Sequence, residues 1–174
     1  MFKTIKVKDI IDEDYTNYKK PSMFIATSQC TFKCEKEDSN VQCHNCDLVK
    51  QKTIELTFSE IIERYLKNEL TSAIVFGGLE PLDEPHVIIA FIQELRKTYN
   101  CNDDIVIYTG YTEQEVEAER FVDANLLDIL KNLHLLGNNN LIIKYGRFRS
   151  TNNFIYDSIL GVNLASSNQY SKCY

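Results

Sequence analysis

Three short apolar runs, "SMFIATS" (22–28), "SAIVFGG" (72–78) and "DIVIYTG" (104–110), are rich in residues that favour strands and end in small or hydroxylated ones. Between and after them the pattern changes to helical periodicity. "TFSEIIERYLKNEL" (57–70) opens with the capping box Thr57-x-x-Glu60 and puts Ile61, Ile62, Tyr65 and Leu66 on one face. "PHVIIAFIQELRKTY" (85–99) repeats Val87, Phe91 and Leu95 at fourfold spacing, with Ile88 and Ile92 beside them. Thr112-x-x-Glu115 caps a third helix, expected to run to about Leu136. "LIIKYGRF" (141–148) and "GVNLASS" (161–167) read as two further strands. Such alternation implies parallel βαβ units and an α/β fold.

In folds of this class, chemistry sits on the loops that follow the strands. Here those loops carry the unusual residues: a cysteine cluster after 22–28, "GGLEPLDEP" after 72–76, "TGYT" after 104–108, "GRF" after 141–145 and "ASSNQ" after 161–164. Each alone has an ordinary reading as a turn, cap or polar tail. Their common placement at one end of the sheet argues for a site.

With 174 residues and no repeat, low-complexity tract or linker, the chain is expected to form one domain, 1–174. Lysines interrupt the apolar N-terminus, and no stretch approaches the length of a membrane span. The expected location is the cytoplasm. A net charge of −6, with no run of Lys or Arg longer than two, excludes a basic nucleic-acid-binding face. A protein or small-molecule partner is expected.

The cysteines follow the pattern C-x3-C-x8-C-x2-C through Cys30, Cys34, Cys43 and Cys46. In a reducing compartment such clustering points to metal ligation over disulfides. Spacing alone is compatible with a zinc site, and slightly favours one. Zinc staples, however, commonly serve modules short of core, whereas this cluster interrupts a full set of strands and helices. A 4Fe–4S cluster takes the same thiolates and, when held by three, leaves one iron open to chemistry. Cys101 and Cys173 read as plain residues.

"CTFKC" resembles the start of the C-x-x-x-C-x-x-C motif of the radical S-adenosylmethionine (SAM) superfamily, and "VFGGLEPL" is similar to its F-S-G-G-E-P-L motif. More narrowly, the chain resembles the small activating enzymes of anaerobic ribonucleotide reductase. Asp14 and Asn17 before Cys30, "CHN" (43–45), "YTGYT" (108–112), "GRF" (146–148) and "SSNQ" (166–169) carry that likeness. The departures are specific. "EKEDSNVQ" separates Cys34 from Cys43, Leu79 stands where the second glycine of the motif belongs, Tyr145 replaces an acidic residue before "GRF", and "YKKP" (18–21) replaces a glycine-rich segment.

The resemblance implies an open partial (β/α) barrel of parallel strands, of radical SAM type. It implies that a 4Fe–4S cluster held by Cys30, Cys34 and Cys43 cleaves SAM reductively to a 5′-deoxyadenosyl radical. Cys46 is then the spare thiol and the insertion a solvated bulge; a rival set uses Cys30 with Cys43 and Cys46. Gly77 and Gly78 are expected to hold the SAM amino group, Glu80 and Pro81 to shape their turn, and Thr109 and 166–169 to line the nucleoside end. No side chain is assigned acid–base catalysis. The implied partners are a glycyl radical enzyme, namely an anaerobic ribonucleotide reductase, and an electron donor such as flavodoxin or ferredoxin. A peptide or small-molecule substrate, and a non-catalytic zinc or iron–sulfur module, stand as alternatives.

Overall fold

A computed structural model describes residues 3–37, 39, 42–121, 124–134, 140–150 and 153–174. Its elements, in chain order, are β1 (Thr4–Asp14), β2 (Ser22–Thr27), α1 (Lys33–Glu37), α2 (Cys46–Lys50), β3 (Ile54–Thr57), α3 (Phe58–Leu66) and β4 (Ala73–Gly78). There follow α4 (Pro85–Lys97), β5 (Asp104–Tyr108), α5 (Glu113–Ala118), β6 (Arg120–Phe121), β7 (Ala124–Asn125), α6 (Leu126–Lys131), β8 (Leu141–Tyr145), β9 (Ile155–Asp157), β10 (Val162–Leu164) and β11 (Tyr170–Cys173).

Seven strands form a mixed sheet in the order β11-β8-β5-β4-β2-β1-β3. The four central strands, β8, β5, β4 and β2, are parallel. Both edges are antiparallel: β11 on β8, and β1 on β2 with β3 beyond it. The fold is therefore α/β, as the sequence implies, but alternation is not strict. β1, assigned no element from sequence, alternates Ile5 and Val7 inward with Lys6 and Lys8 outward, the pattern of a strand with one wet face.

Two further expectations are corrected. The helix capped by Thr112 ends at Ala118, where the β6–β7 hairpin interrupts it and Asn125 caps a separate helix, α6. Leu136 lies outside the described residues. Residues 162–164 leave the main sheet and pair only with β9.

Helices α3, α4, α5 and α6 pack on one face of the sheet. There Ile25, Ile74, Phe76, Ile105, Ile107 and Ile143 meet Phe58, Ile62, Phe91, Ile92 and Leu95 in one apolar core. Both capping boxes form, at Thr57–Glu60 and Thr112–Glu115. Leu66, read as part of the α3 apolar face, is exposed because that helix ends there. On the other face Val75, Val106 and Ile142 are covered by Tyr18, Leu160 and Leu164. Toward the C-terminal ends of the strands this cover gives way to a cavity.

Candidate metal and ligand site

The cavity holds about 600 Å³, within the range of small-molecule sites. Cys30, Cys34, Cys43, Gly77, Gly78, Glu80 and Thr109 all stand on its wall. Cys46, at the start of α2, is not among the lining residues. Pro81 is buried behind the wall, opening a 3₁₀ turn that runs to Asp83. A smaller recess of about 70 Å³, lined by Cys30, Cys34, Glu80, Arg147 and Phe148, adjoins it.

Why the loop after β2 folds this way is visible in its tethers. Phe32 adopts a positive φ of 54°, and its N–H donates to Cys30 Sγ at 3.2 Å. The Thr31 N–H donates to Asp83, which also accepts from the Tyr111 hydroxyl at 2.6 Å. Lys33 lies 4.0 Å over the Tyr111 ring. Asn45 Nδ2 donates to the Gly78 carbonyl, joining the cysteine loop to the glycine turn. The His44 ring packs at a tilt against Phe148 of "GRF", with centroids 4.8 Å apart.

The insertion is not simply a solvated bulge. Glu35 Oε1 accepts the Cys43 N–H at 2.7 Å, and Glu37 lies 3.2 Å from Arg147 Nε and 3.3 Å from Arg149. The Arg147–Glu37 contact is an ion pair without hydrogen-bond geometry, since Arg147 Nε has no hydrogen-bond acceptor. Arg147 spends its other nitrogens on Glu115, a bidentate pair at 2.6 and 2.7 Å. That pairing holds the Glu115 carboxyl at about 2, below its ordinary range. Glu35 thus ties the start of the insertion to Cys43, and Glu37 docks it on the loop after β8.

Gly78 has a φ of 81°, and a Cβ there would stand 2.9 Å from Ala26 Cα. Glycine is required by both conformation and space. Glu80 bolts two turns together: it accepts from Leu82 N at 3.0 Å, Thr109 Oγ1 at 2.7 Å and Gly110 N at 2.7 Å. Burial pushes its carboxyl up to about 7 despite these donors. Thr109 therefore positions Glu80 with its hydroxyl. "SSNQ" closes the wall: Gln169 donates to Gly146 at 3.1 Å and Asn168 to the Arg147 carbonyl at 2.8 Å.

All four loop cysteines are free and half-buried. Burial, then Glu80, Asp83 and Cys34, push the Cys30 thiol up to about 12, against the Phe32 N–H. Cys43 is raised by burial first, with Cys34, Glu35 and Cys46 adding to it. Cys34 is thus the electrostatic neighbour of both. Among the described residues no three His, Cys, Asp or Glu side chains are drawn together tightly enough to hold an ion. The thiols share a wall without converging on one point. Their chemistry fits an iron–sulfur group: soft donors, free of disulfides, beside carboxylates that favour added positive charge, with open volume in front.

Sequence reasoning missed Lys144, which lines the same cavity from β8, three strands away from β2. Its signal was a lysine inside an otherwise apolar strand, "LIIKY". No described helix is long and apolar enough to cross a membrane.

Free thiols therefore stand on the wall of a cavity at the carboxyl ends of parallel strands. The chain belongs to the 4Fe–4S single cluster domain family, whose model matches residues 21–153. That span includes the cysteine loop, "GGLEP", "YTGYT" and "GRF", and it selects iron–sulfur over zinc. No curated protein matches the chain.

Proposed function

We propose that the protein is a 4Fe–4S radical SAM enzyme that installs a glycyl radical on an anaerobic ribonucleotide reductase in the cytoplasm, with a flavodoxin or ferredoxin as electron donor. The carrying observation is that one cavity gathers Cys30, Cys34 and Cys43 with the Gly77–Gly78 turn. Cluster and SAM, when bound, supply one-electron cleavage of a sulfonium and a carbon radical able to take a hydrogen atom. Cys30, Cys34 and Cys43 hold the cluster in this reading, and Cys46 stands apart. Gly77 and Gly78 present backbone to the SAM amino group, with Glu80 and Thr109 fixing the turn behind them. Helices α3 to α6 on one side of four parallel strands, with a cavity on the other, suit an open partial barrel with room for a protein loop.

Anaerobically prepared protein should be brown, with about four irons per chain. Cys30→Ser, Cys34→Ser and Cys43→Ser should each abolish the cluster's absorption, and Cys46→Ser should retain it. A full cluster in Cys34→Ser and none in Cys46→Ser would move the ligand set to the rival. SAM should perturb the electron paramagnetic resonance spectrum of the reduced cluster, and dithionite should then release 5′-deoxyadenosine. Silence in both assays removes the SAM reading. A doublet glycyl radical signal on mixing with the reductase tests the partner, and SAM cleavage without that signal across reductases of the same genome overturns it.

A further inference from the structure

One cation on the cavity wall is left unused by this chemistry. Lys144 is the sole Lys or Arg among the described residues lining the large cavity, and it is 6% exposed. Its Nζ donates to the Gly146 carbonyl at 3.0 Å and lies 5.8 Å from the centre of the Tyr108 ring. An ammonium has three donors, and that carbonyl takes one. None of the ion pairs among the described residues includes it. Glu80 favours its charge at longer range, but the Glu80 carboxylate already serves Leu82, Thr109 and Gly110. Burial draws the ammonium down to about 8, which leaves it cationic at neutral pH. A buried charge with no ion-pair partner among the described residues is unfavourable, and here it faces a volume that a ligand can fill.

Position decides which ligand. Lys144 stands on β8, in register with Tyr108 of β5, and β4 with its Gly77–Gly78 turn lies one strand further on. Strands are spaced about 4.8 Å apart, so Lys144 is offset from the glycine turn by roughly 10 Å and from the strand bearing the cysteine loop by roughly 14 Å. In the SAM reading, the amino-acid end occupies the glycine turn, and the nucleoside that extends from it carries no anion. We propose that Lys144 receives a carboxylate of the second substrate, which is therefore an acid-bearing molecule: a free carboxylic acid or a peptide segment with an Asp or Glu side chain. The identity of the first ligand rests on the proposed function; the need for an anion at Lys144 rests on the cavity alone.

Isothermal titration of the anaerobic, cluster-loaded protein tests this, first with SAM and then with two probe pairs. Glutarate is compared with its neutral isostere glutaramide, and acetyl-Gly-Asp-Gly-amide with acetyl-Gly-Asn-Gly-amide. In the wild type the acid of at least one pair should bind about tenfold tighter than its amide. The discriminating pair says whether a free acid or a side chain is received. Lys144→Met should reduce that preference to within about twofold while SAM affinity stays within about threefold, and Lys144→Arg should keep the preference. A raised melting temperature in Lys144→Met, from removal of an unpaired buried charge, shows that the variant is folded. No acid preference in the wild type, or one that survives in Lys144→Met, overturns the proposal. So does a tenfold loss of SAM affinity in Lys144→Met, which would give the lysine to the SAM carboxylate. Wild-type protein that binds no SAM at all overturns the proposed function instead, and the acid–amide comparison still decides Lys144.

Discussion

Phe76 and Gly77 are neighbours in β4, yet they belong to different worlds. Phe76 points into the helix layer, where its ring meets Phe91 edge-on at 5.3 Å, and Phe91 in turn meets Phe58 at 5.3 Å. Gly77 faces the cavity, with the Phe24 ring 2.9 Å from where its Cβ would stand. The same alternation divides Ile107 from Tyr108 and Ile143 from Lys144. On one face these strands present a filled apolar core; on the other, apolar residues give way toward the strand ends to glycines and polar groups that keep volume open. Stability and function are thus separated by one residue along the same strands, a consequence of the period of two in a β-strand.

The sharpest way to break this division is Phe91→Ala, which should cost about 3–5 kcal/mol in denaturant unfolding. Iron content per folded molecule should stay unchanged. If still-folded protein loses iron in proportion, the two faces are not independent.

Next in size is the pH dependence of Glu80. Its folded carboxyl titrates near 7 and its unfolded one in the ordinary range near 4.5, so the native state binds more protons between these values. Stability should fall as pH rises through that window, by on the order of 3 kcal/mol at most, and level off above it. Glu80→Gln should flatten this slope. An unchanged slope in the variant would show that another group carries it.

Gly78→Val forces a branched side chain into a positive φ against Ala26, a strain of roughly 1–3 kcal/mol. The unfolding midpoint should drop modestly, while SAM binding by the cluster-loaded protein should be lost. Retained SAM affinity would separate the glycine turn from the ligand.

The smallest effect in stability is Glu37→Gln, below about 1 kcal/mol because the pair is partly exposed. Its informative readout is iron stoichiometry after reconstitution, which should fall as the loop loses its hold on Arg147 and Arg149. Full iron loading at wild-type rate would make Glu37 a surface charge.

The four parallel strands were legible because each is a continuous apolar run, the mark of a strand buried on both faces. α3 and α4 were legible from capping and periodicity. β1 was not, because its alternating lysines break the run that a search for buried strands looks for, although alternation is itself the signal of a strand with one wet face. The helix to Leu136 was overextended because "ERFVDAN" keeps helix-compatible residues while the chain turns back as a hairpin. At the site, the meeting of cysteines and glycine turn followed from where strands end. Lys144 did not, since a run such as "LIIKY" does not say which residues face inward. The roles of Glu35 and Glu37 were hidden because nothing in a run of charged residues says that it folds back on the Cys43 amide or reaches the arginines of the distant "GRFR".

The insertion between Cys34 and Cys43 has a consequence for how such loops change length. Closing a flexible loop becomes harder only logarithmically, by about 0.6 kcal/mol for each doubling. Against the two intervening residues of the motif that the chain resembles, eight are two doublings, an entropic difference on the order of 1 kcal/mol. Glu35, the first residue of the segment, on the amide of Cys43 just beyond its last, with Glu37 between Arg147 and Arg149, contributes a stabilisation of similar size. An insertion that brings its own anchors is nearly neutral to the chain that acquires it. Distance along the sequence and distance between thiols can then drift apart, and a search for this kind of site by fixed cysteine spacing will pass over chains whose folded loop serves the same cavity.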